Sequence, residues 1–271
     1  MSASELVQAT EGNNSGTGIL NGVEVLVFDV FGTVVDWRTS VTKELERLGK
    51  RYGLSDSPQD WLEFTNEWRK AYMENTFRIS QGGEGSLSVD IIHRESLDKM
   101  LSSSRWSHVG EVLDEPARAD LNYIWHRLDG WPDTVPALHA FKANPEAKPI
   151  ILAALSNGNL RLLVDMAKHV GLPWDVVLST ALFGTYKPNP NVYLSALSHL
   201  SLSSTPHKAV MVAAHLFDLR GAKGVGMKTV YVRRPGEDVF RSTHGIEAKE
   251  LEQTDYVDAV IDDFTELVKL F

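Results

Sequence analysis

Five short runs of apolar, largely β-branched residues limit what this chain can fold into: VEVLVFD (23–29), PIILAALS (149–156), AVMVAA (209–214), KTVYV (228–232) and YVDAVI (256–261). Runs of this length without polar alternation suit parallel strands covered on both faces. A sixth segment, VLSTALF (177–183), is a weaker strand candidate. Between the runs lie NLRLLVDMAKHVG (159–171), NVYLSALSHL (191–200) and DLRGAKGVG (218–226), with helical character and glycines where helices stop. The alternation predicts an α/β fold built on a doubly wound, Rossmann-like parallel sheet.

The stretch from about 40 to 135 has no convincing strand. TSVTKELERLGKRYG places Val41, Leu45, Leu48 and Tyr52 on one helical face. SPQDWLEFTNEWRKAYMENTF offers Ser57 as an N-cap, Pro58 in the first turn and Asp60 near the positive end of the helix dipole. Helical patterning returns at 88–101 and 114–128, and SQGGEGS (80–86) reads as a loop. The expected organisation is a flexible tail (1–22), a core domain (23–38 and 136–271) and a helical cap (39–135) inserted after the first strand. A strand and a final helix are expected between Glu247 and Phe271, packed on the sheet edge.

Charge and cysteine usage narrow the function classes. Lys plus Arg (27) against Asp plus Glu (36) gives a formal charge of −9, which argues against nucleic acid or an acidic membrane as partner. With no cysteine there is no disulfide, thiolate nucleophile or Cys-based metal site. No apolar run reaches the ~18 residues a membrane span requires. The first 22 residues lack the apolar core of a signal peptide, so a soluble cytoplasmic protein is expected.

Asp29 ends the first apolar run and is followed by Val30-Phe31-Gly32-Thr33. Alone, such an Asp more often caps its turn than does chemistry. In open α/β sheets, however, ligands bind beyond the carboxyl ends of the strands. Asp29, Ser156 and the Ala213–Asp218 stretch all follow strand candidates, so they are expected to meet in one cleft.

FDVFGTVVDW, followed in order by LSNGN, YKPNPNVY and VAAHLFDLRGAKGVGMKTVYV, resembles the haloacid dehalogenase superfamily, and within it the L-2-haloacid dehalogenase (type II) group. The resemblance implies Asp29 as nucleophile, attacking carbon to form an ester that water then cleaves. It implies Lys187 beside that carboxylate to hold it ionised, Asp218 as partner of Lys187 and guide of the hydrolytic water, and Tyr193 positioning lysine or substrate. Ser156 and Asn157 would bind the substrate carboxylate, and Thr33 lies in the substrate-binding turn. Arg69 matches the arginine that receives departing halide, with Trp68, Phe31 and Phe217 as a water-excluding wall.

Phosphatases of the superfamily follow Asp-x-Asp-x-Thr, where the second Asp protonates the leaving oxygen. Phe31 stands there instead, and a halide leaves without a proton. The acidic cluster that holds magnesium in those phosphatases is reduced to Asp218. Dehalogenases carry Ser-Ser-Asn-x-x-Asp where this chain has Ala213-Ala214-His215-x-x-Asp218, so His215 could orient water, bind substrate or act as a base. The expectation is a hydrolytic dehalogenase that converts a short (S)-2-haloacid to the inverted 2-hydroxy acid, with a small carboxylate and halide as its ligands and no cofactor. A magnesium-dependent phosphatase and a non-catalytic binding relative are the rival readings, and the resemblance allows a homodimer.

Overall fold

The computed structural model describes residues 18–145, 149–237 and 254–270. The first strand, β1 (Val25–Phe28), is followed by a run of helices: α1 (Trp37–Tyr52), α2 (Pro58–Ser80), α3 (Val89–Leu101), α4 (Ser107–Val112) and α5 (Glu115–Asn122). A short 3-10 helix, Tyr123–His126, then leads to α6 (Thr134–Ala143). The remaining elements alternate: β2 (Ile151–Ser156), α7 (Leu160–Val170), β3 (Val176–Ser179), α8 (Pro190–His199), β4 (Ala209–Ala213), α9 (Leu216–Gly224), β5 (Lys228–Val232) and β6 (Ala259–Ile261).

The strands form one parallel sheet in the order β3-β2-β1-β4-β5-β6. β1 is central, with Val25 opposite Ile151 on one side and Ala209 on the other. The chain winds away from β1 in both directions, which opens a crevice at the carboxyl end of β1. Strand alternation supplies two cores. Leu26 and Phe28 face one, with α1, α2 and α6; Val25 and Val27 face the other, with α8 and α9.

Helix boundaries follow local chemistry. Ser57 and Asp60 form a reciprocal capping box on α2, with Pro58 in the first turn. Val41, Leu45 and Leu48 of α1 are buried, as their spacing predicts. The weaker strand candidate is strand only to Ser179 and then a 3-10 turn, Thr180–Phe183.

Two sequence expectations change at the chain ends. Residues 18–22 form a turn anchored by Leu20, not a free tail: Leu20 is buried and its amide donates to the Leu270 carbonyl at 3.0 Å. Leu20 is apolar and meets a ready apolar surface, which a composition-based reading of its Ser/Gly-rich surroundings hides; residues 1–17 of the expected tail lie outside the described residues. At the other end β6 is followed by a 3-10 helix, Phe264–Leu270, that packs on α6. Of the expected 247–271 segment, 247–253 and 271 lie outside the described residues. Among the described residues no helix is long and apolar enough to cross a membrane.

Candidate active site

The turn after β1 places Asp29 at the carboxyl end of the central strand. The Asp29 amide still pairs with Val212 O of β4 at 3.0 Å, so the carboxylate leaves the sheet from a fixed backbone. Gly32 has φ 82°, and a Cβ there would lie 2.2 Å from Glu237 Oε2. Only glycine tolerates both the left-handed backbone and that approach.

Every oxygen of Asp29 has a partner. Oδ1 accepts from Lys187 Nζ at 3.2 Å; Oδ2 accepts from Thr33 Oγ1 at 2.7 Å and lies 2.9 Å from His215 Nδ1. Thr33 Oγ1 in turn accepts from the Ala214 amide at 2.9 Å, which locks the hydroxyl proton toward Asp29. Burial opposes ionisation of Asp29, but Lys187, His215 and Thr33 outweigh it and hold the carboxyl well below the usual carboxylate range. Asp29 is therefore an anion with little hydration, the state a carboxylate nucleophile needs.

Lys187 bridges two carboxylates. Its Nζ donates to Asp218 Oδ2 at 2.7 Å, and Tyr193 Oη donates to Asp218 Oδ1 at 2.6 Å. Burial lowers the lysine's proton affinity, yet Asp218 and Asp29 raise it above the ordinary value, so it stays ammonium. Asp218 is 1% exposed, with both oxygens already accepting hydrogen bonds. It and Tyr193 stand behind Lys187 and away from the cleft lining.

His215 precedes α9 and reaches two anions, with Nε2 3.1 Å from Glu237 Oε2. Carboxylates only accept, so both ring nitrogens donate and the ring is imidazolium. Burial lowers its proton affinity, and Asp29 with Glu237 reverses this, raising the pKa to about 9. Glu237 is held by its neighbours. Arg234 donates from Nε to Thr33 O at 3.0 Å and grips Asp133 at 2.7 and 2.9 Å through its two terminal nitrogens. Arg38 Nη2 donates to Gly236 O at 2.9 Å, with its Nη1 3.8 Å from Glu237 Oε1.

The cleft, about 280 Å³ including the space at its open mouth, is lined by Asp29, Phe31, Arg69, Tyr72, Met73, Ser156, Asn157, Lys187, His215 and Phe217. On the α2 wall the Arg69 guanidinium lies 5.5 Å from the Phe31 ring, 5.1 Å from Trp37 and 4.7 Å from Tyr72. Its Nη1 is buried with no hydrogen-bond partner among the described residues. A caged cation with a spare donor is prepared for an anion. Opposite, Ser156 Oγ accepts from the Gly158 amide at 3.2 Å, leaving its proton for a ligand. Asn157 Oδ1 accepts from the Lys187 amide at 3.0 Å, which fixes the side-chain amide.

A family model for haloacid dehalogenase-like hydrolases matches residues 23–226. The chain belongs to that family. Its relatives place it in the L-2-haloacid dehalogenase group, whose activity is hydrolysis at carbon–halide bonds. One solved L-2-haloacid dehalogenase is 36% identical with a TM-score of 0.75, over 90% of this chain and 97% of that one. (S)-2-haloacid dehalogenase 1 of Pseudomonas sp. (strain CBS-3) is 27% identical over 79% of this chain and 86% of its own length. The L-2-haloacid dehalogenase of Xanthobacter autotrophicus, solved with chloropropionic acid covalently bound, is 25% identical with a TM-score of 0.68, over 92% of this chain and 98% of its own.

Of the twelve residues expected at the site, Asp29, Phe31, Arg69, Ser156, Asn157, Lys187, His215 and Phe217 line the cleft of this hydrolase. Thr33, Asp218 and Tyr193 support it from behind. Trp68 does not form the wall. It is fully buried behind it, with Nε1 donating to His93 O at 2.8 Å and its ring edge-on to Trp125 at 5.3 Å. Neighbours on a helix point ~100° apart, so a helix that aims Arg69 at the cleft turns Trp68 inward. Tyr72 and Met73, three and four residues on, take the wall instead, and that spacing was readable. Glu237 belongs to no motif: it sits in the polar RRPGED segment, five residues past Val232, where the last motif ends.

Proposed function

We propose that the enzyme is a hydrolytic dehalogenase for short (S)-2-haloacids, acting through an ester on Asp29. The observation that carries this reading is an ionised, dehydrated Asp29 in a cleft whose other wall presents the unpartnered Nη1 of Arg69. Ser156 and Asn157 hold the substrate carboxylate. Asp29 attacks the halogen-bearing carbon from the side opposite the halogen, the carbon–halogen bond breaks, and halide departs toward Arg69. Attack from behind inverts the centre. Water then adds to the Asp29 carboxyl carbon, the acyl–oxygen bond breaks, and the (R)-2-hydroxy acid leaves.

Phe31 supports carbon–halide over phosphate-ester chemistry. Its ring packs against Tyr72 and Trp125 at 6.3 and 6.2 Å and offers no proton to a leaving alkoxide. The ammonium of Lys187 lies between Asp29 and Asp218, the two carboxylates a divalent cation would need. No step in this reading calls on a metal.

Halide release from (S)- and (R)-2-chloropropionate, beside a generic phosphate ester and with chelator or magnesium, tests the reading. Chelator-resistant halide release from the (S) substrate is expected, and Asp29→Asn should lower it by about 10⁴-fold or more. A single turnover in heavy-oxygen water should label Asp29 itself. Magnesium-dependent phosphate release without halide would overturn the proposal.

A further inference from the structure

Hydrolysis of the ester needs a base, and Asp218 is poorly placed for it, with both oxygens engaged behind Lys187. His215 does line the cleft, and its Nδ1 already lies 2.9 Å from the carboxylate that becomes the ester. In the resting enzyme that nitrogen carries a proton directed at Asp29, so the ring is no base at all. The groups that face it decide when this changes. They are Asp29 after β1, Glu237 after β5, Lys187 and Asp218 behind Asp29, and Arg69 and Arg38 near Glu237.

We propose that Glu237 is a positioning residue that holds His215 as the base for ester hydrolysis, and that the base is unmasked only when Asp29 is alkylated. This rests on the dehalogenase reading above. Alkylation turns the Asp29 anion into a neutral ester, so the Nδ1–H loses its charged acceptor while Lys187 and Arg69 remain cationic. The Nδ1 proton passes to solvent through the cleft as halide leaves, so one H⁺ and one X⁻ depart together. Nε2–H stays on Glu237 and keeps the ring aimed. Water then gives a proton to Nδ1 as its oxygen bonds to the Asp29 carboxyl carbon. Collapse of the tetrahedral adduct breaks the acyl–oxygen bond, and the new carboxyl proton goes to the departing alkoxide. The cycle ends with Asp29 anionic and His215 doubly protonated, the starting state. The sum is haloacid plus water giving hydroxy acid, halide and H⁺.

The local backbone is built for this. Gly32 leaves open the volume that the Glu237 carboxylate fills, and Arg234 ties the Glu237 loop to the nucleophile turn through Thr33 O.

Rapid-quench kinetics with (S)-2-chloropropionate on wild type, Glu237→Gln, Glu237→Asp and His215→Gln tests the proposal. In Glu237→Gln we expect a halide burst near one per active site, then turnover slowed about 10²-fold. The Asp29 peptide should carry the ester mass, and the acid limb of the second phase should move to lower pH. Glu237→Asp should recover part of the second phase. His215→Gln should accumulate the same ester, which keeps the test decisive if Glu237→Gln fails to fold. Equal slowing of burst and turnover with no ester, or no change in either, would overturn the assignment and leave the dehalogenase reading standing. Wild-type enzyme that releases no halide would remove both.

Discussion

Double protonation of His215 couples stability to pH. Its pKa rises from 6.5 to about 9 on folding, because Asp29 and Glu237 outweigh its burial. A group with a raised folded pKa stabilises fully below its unfolded pKa and loses that contribution as pH climbs through the folded one. Between pH 6.5 and about 9 the loss is on the order of 3 kcal/mol. Denaturant midpoints of wild type and His215→Gln should therefore converge as pH is raised from 6 to 10. At this scale the sequence carried Asp29, Lys187, His215 and Asp218, since each sits in a recognisable motif. It could not carry Glu237, because only the Arg234 anchor and the gap over Gly32 bring that carboxylate to the histidine.

Among the elements, the start of α3 is tied to the loop after β2. Asp90 Oδ2 accepts from Asn159 Nδ2 at 2.8 Å, and the Asp90 amide donates to Asn159 Oδ1 at 3.3 Å. His126 lies between Asp90 Oδ1 at 3.1 Å and Asp165 Oδ2 of α7 at 3.0 Å. The cluster reaches across from the helices between β1 and β2 to the segment that bears Ser156 and Asn157. Asp90→Ala should cost about 1–3 kcal/mol in a denaturation experiment, through lost hydrogen bonds and a half-freed His126. On the proposed function, its kinetic mark should be a KM for the haloacid that rises more than kcat falls, since Ser156 and Asn157 would orient substrate and take no part in bond breaking. The strands were legible because parallel burial leaves unbroken apolar runs. The 3-10 turn after β3 was not, because its apolar residues carry neither a period of two nor a full helical stripe, and after β6 a closing helix was expected but not its 3-10 form.

Across the whole molecule, the two described ends close on each other. Leu20 is 1% exposed and its amide is bonded to Leu270 O. Leu20→Ala should lower stability by about 2–5 kcal/mol without changing kcat, measured by urea denaturation beside steady-state rates. The doubly wound sheet was legible as a whole, while this closure was not, since nothing local marks a partner some 250 residues away. The central position of β1 also governs when the protein becomes an enzyme during its own synthesis. A ribosome delivers Asp29 early, but β2 and β4, which flank its strand, are complete only at Ser156 and Ala213, and the anion behind His215 arrives at residue 237. Any nascent chain shorter than that carries Asp29 without the assembled cleft, so on the proposed function reactivity is deferred until most of the polypeptide exists.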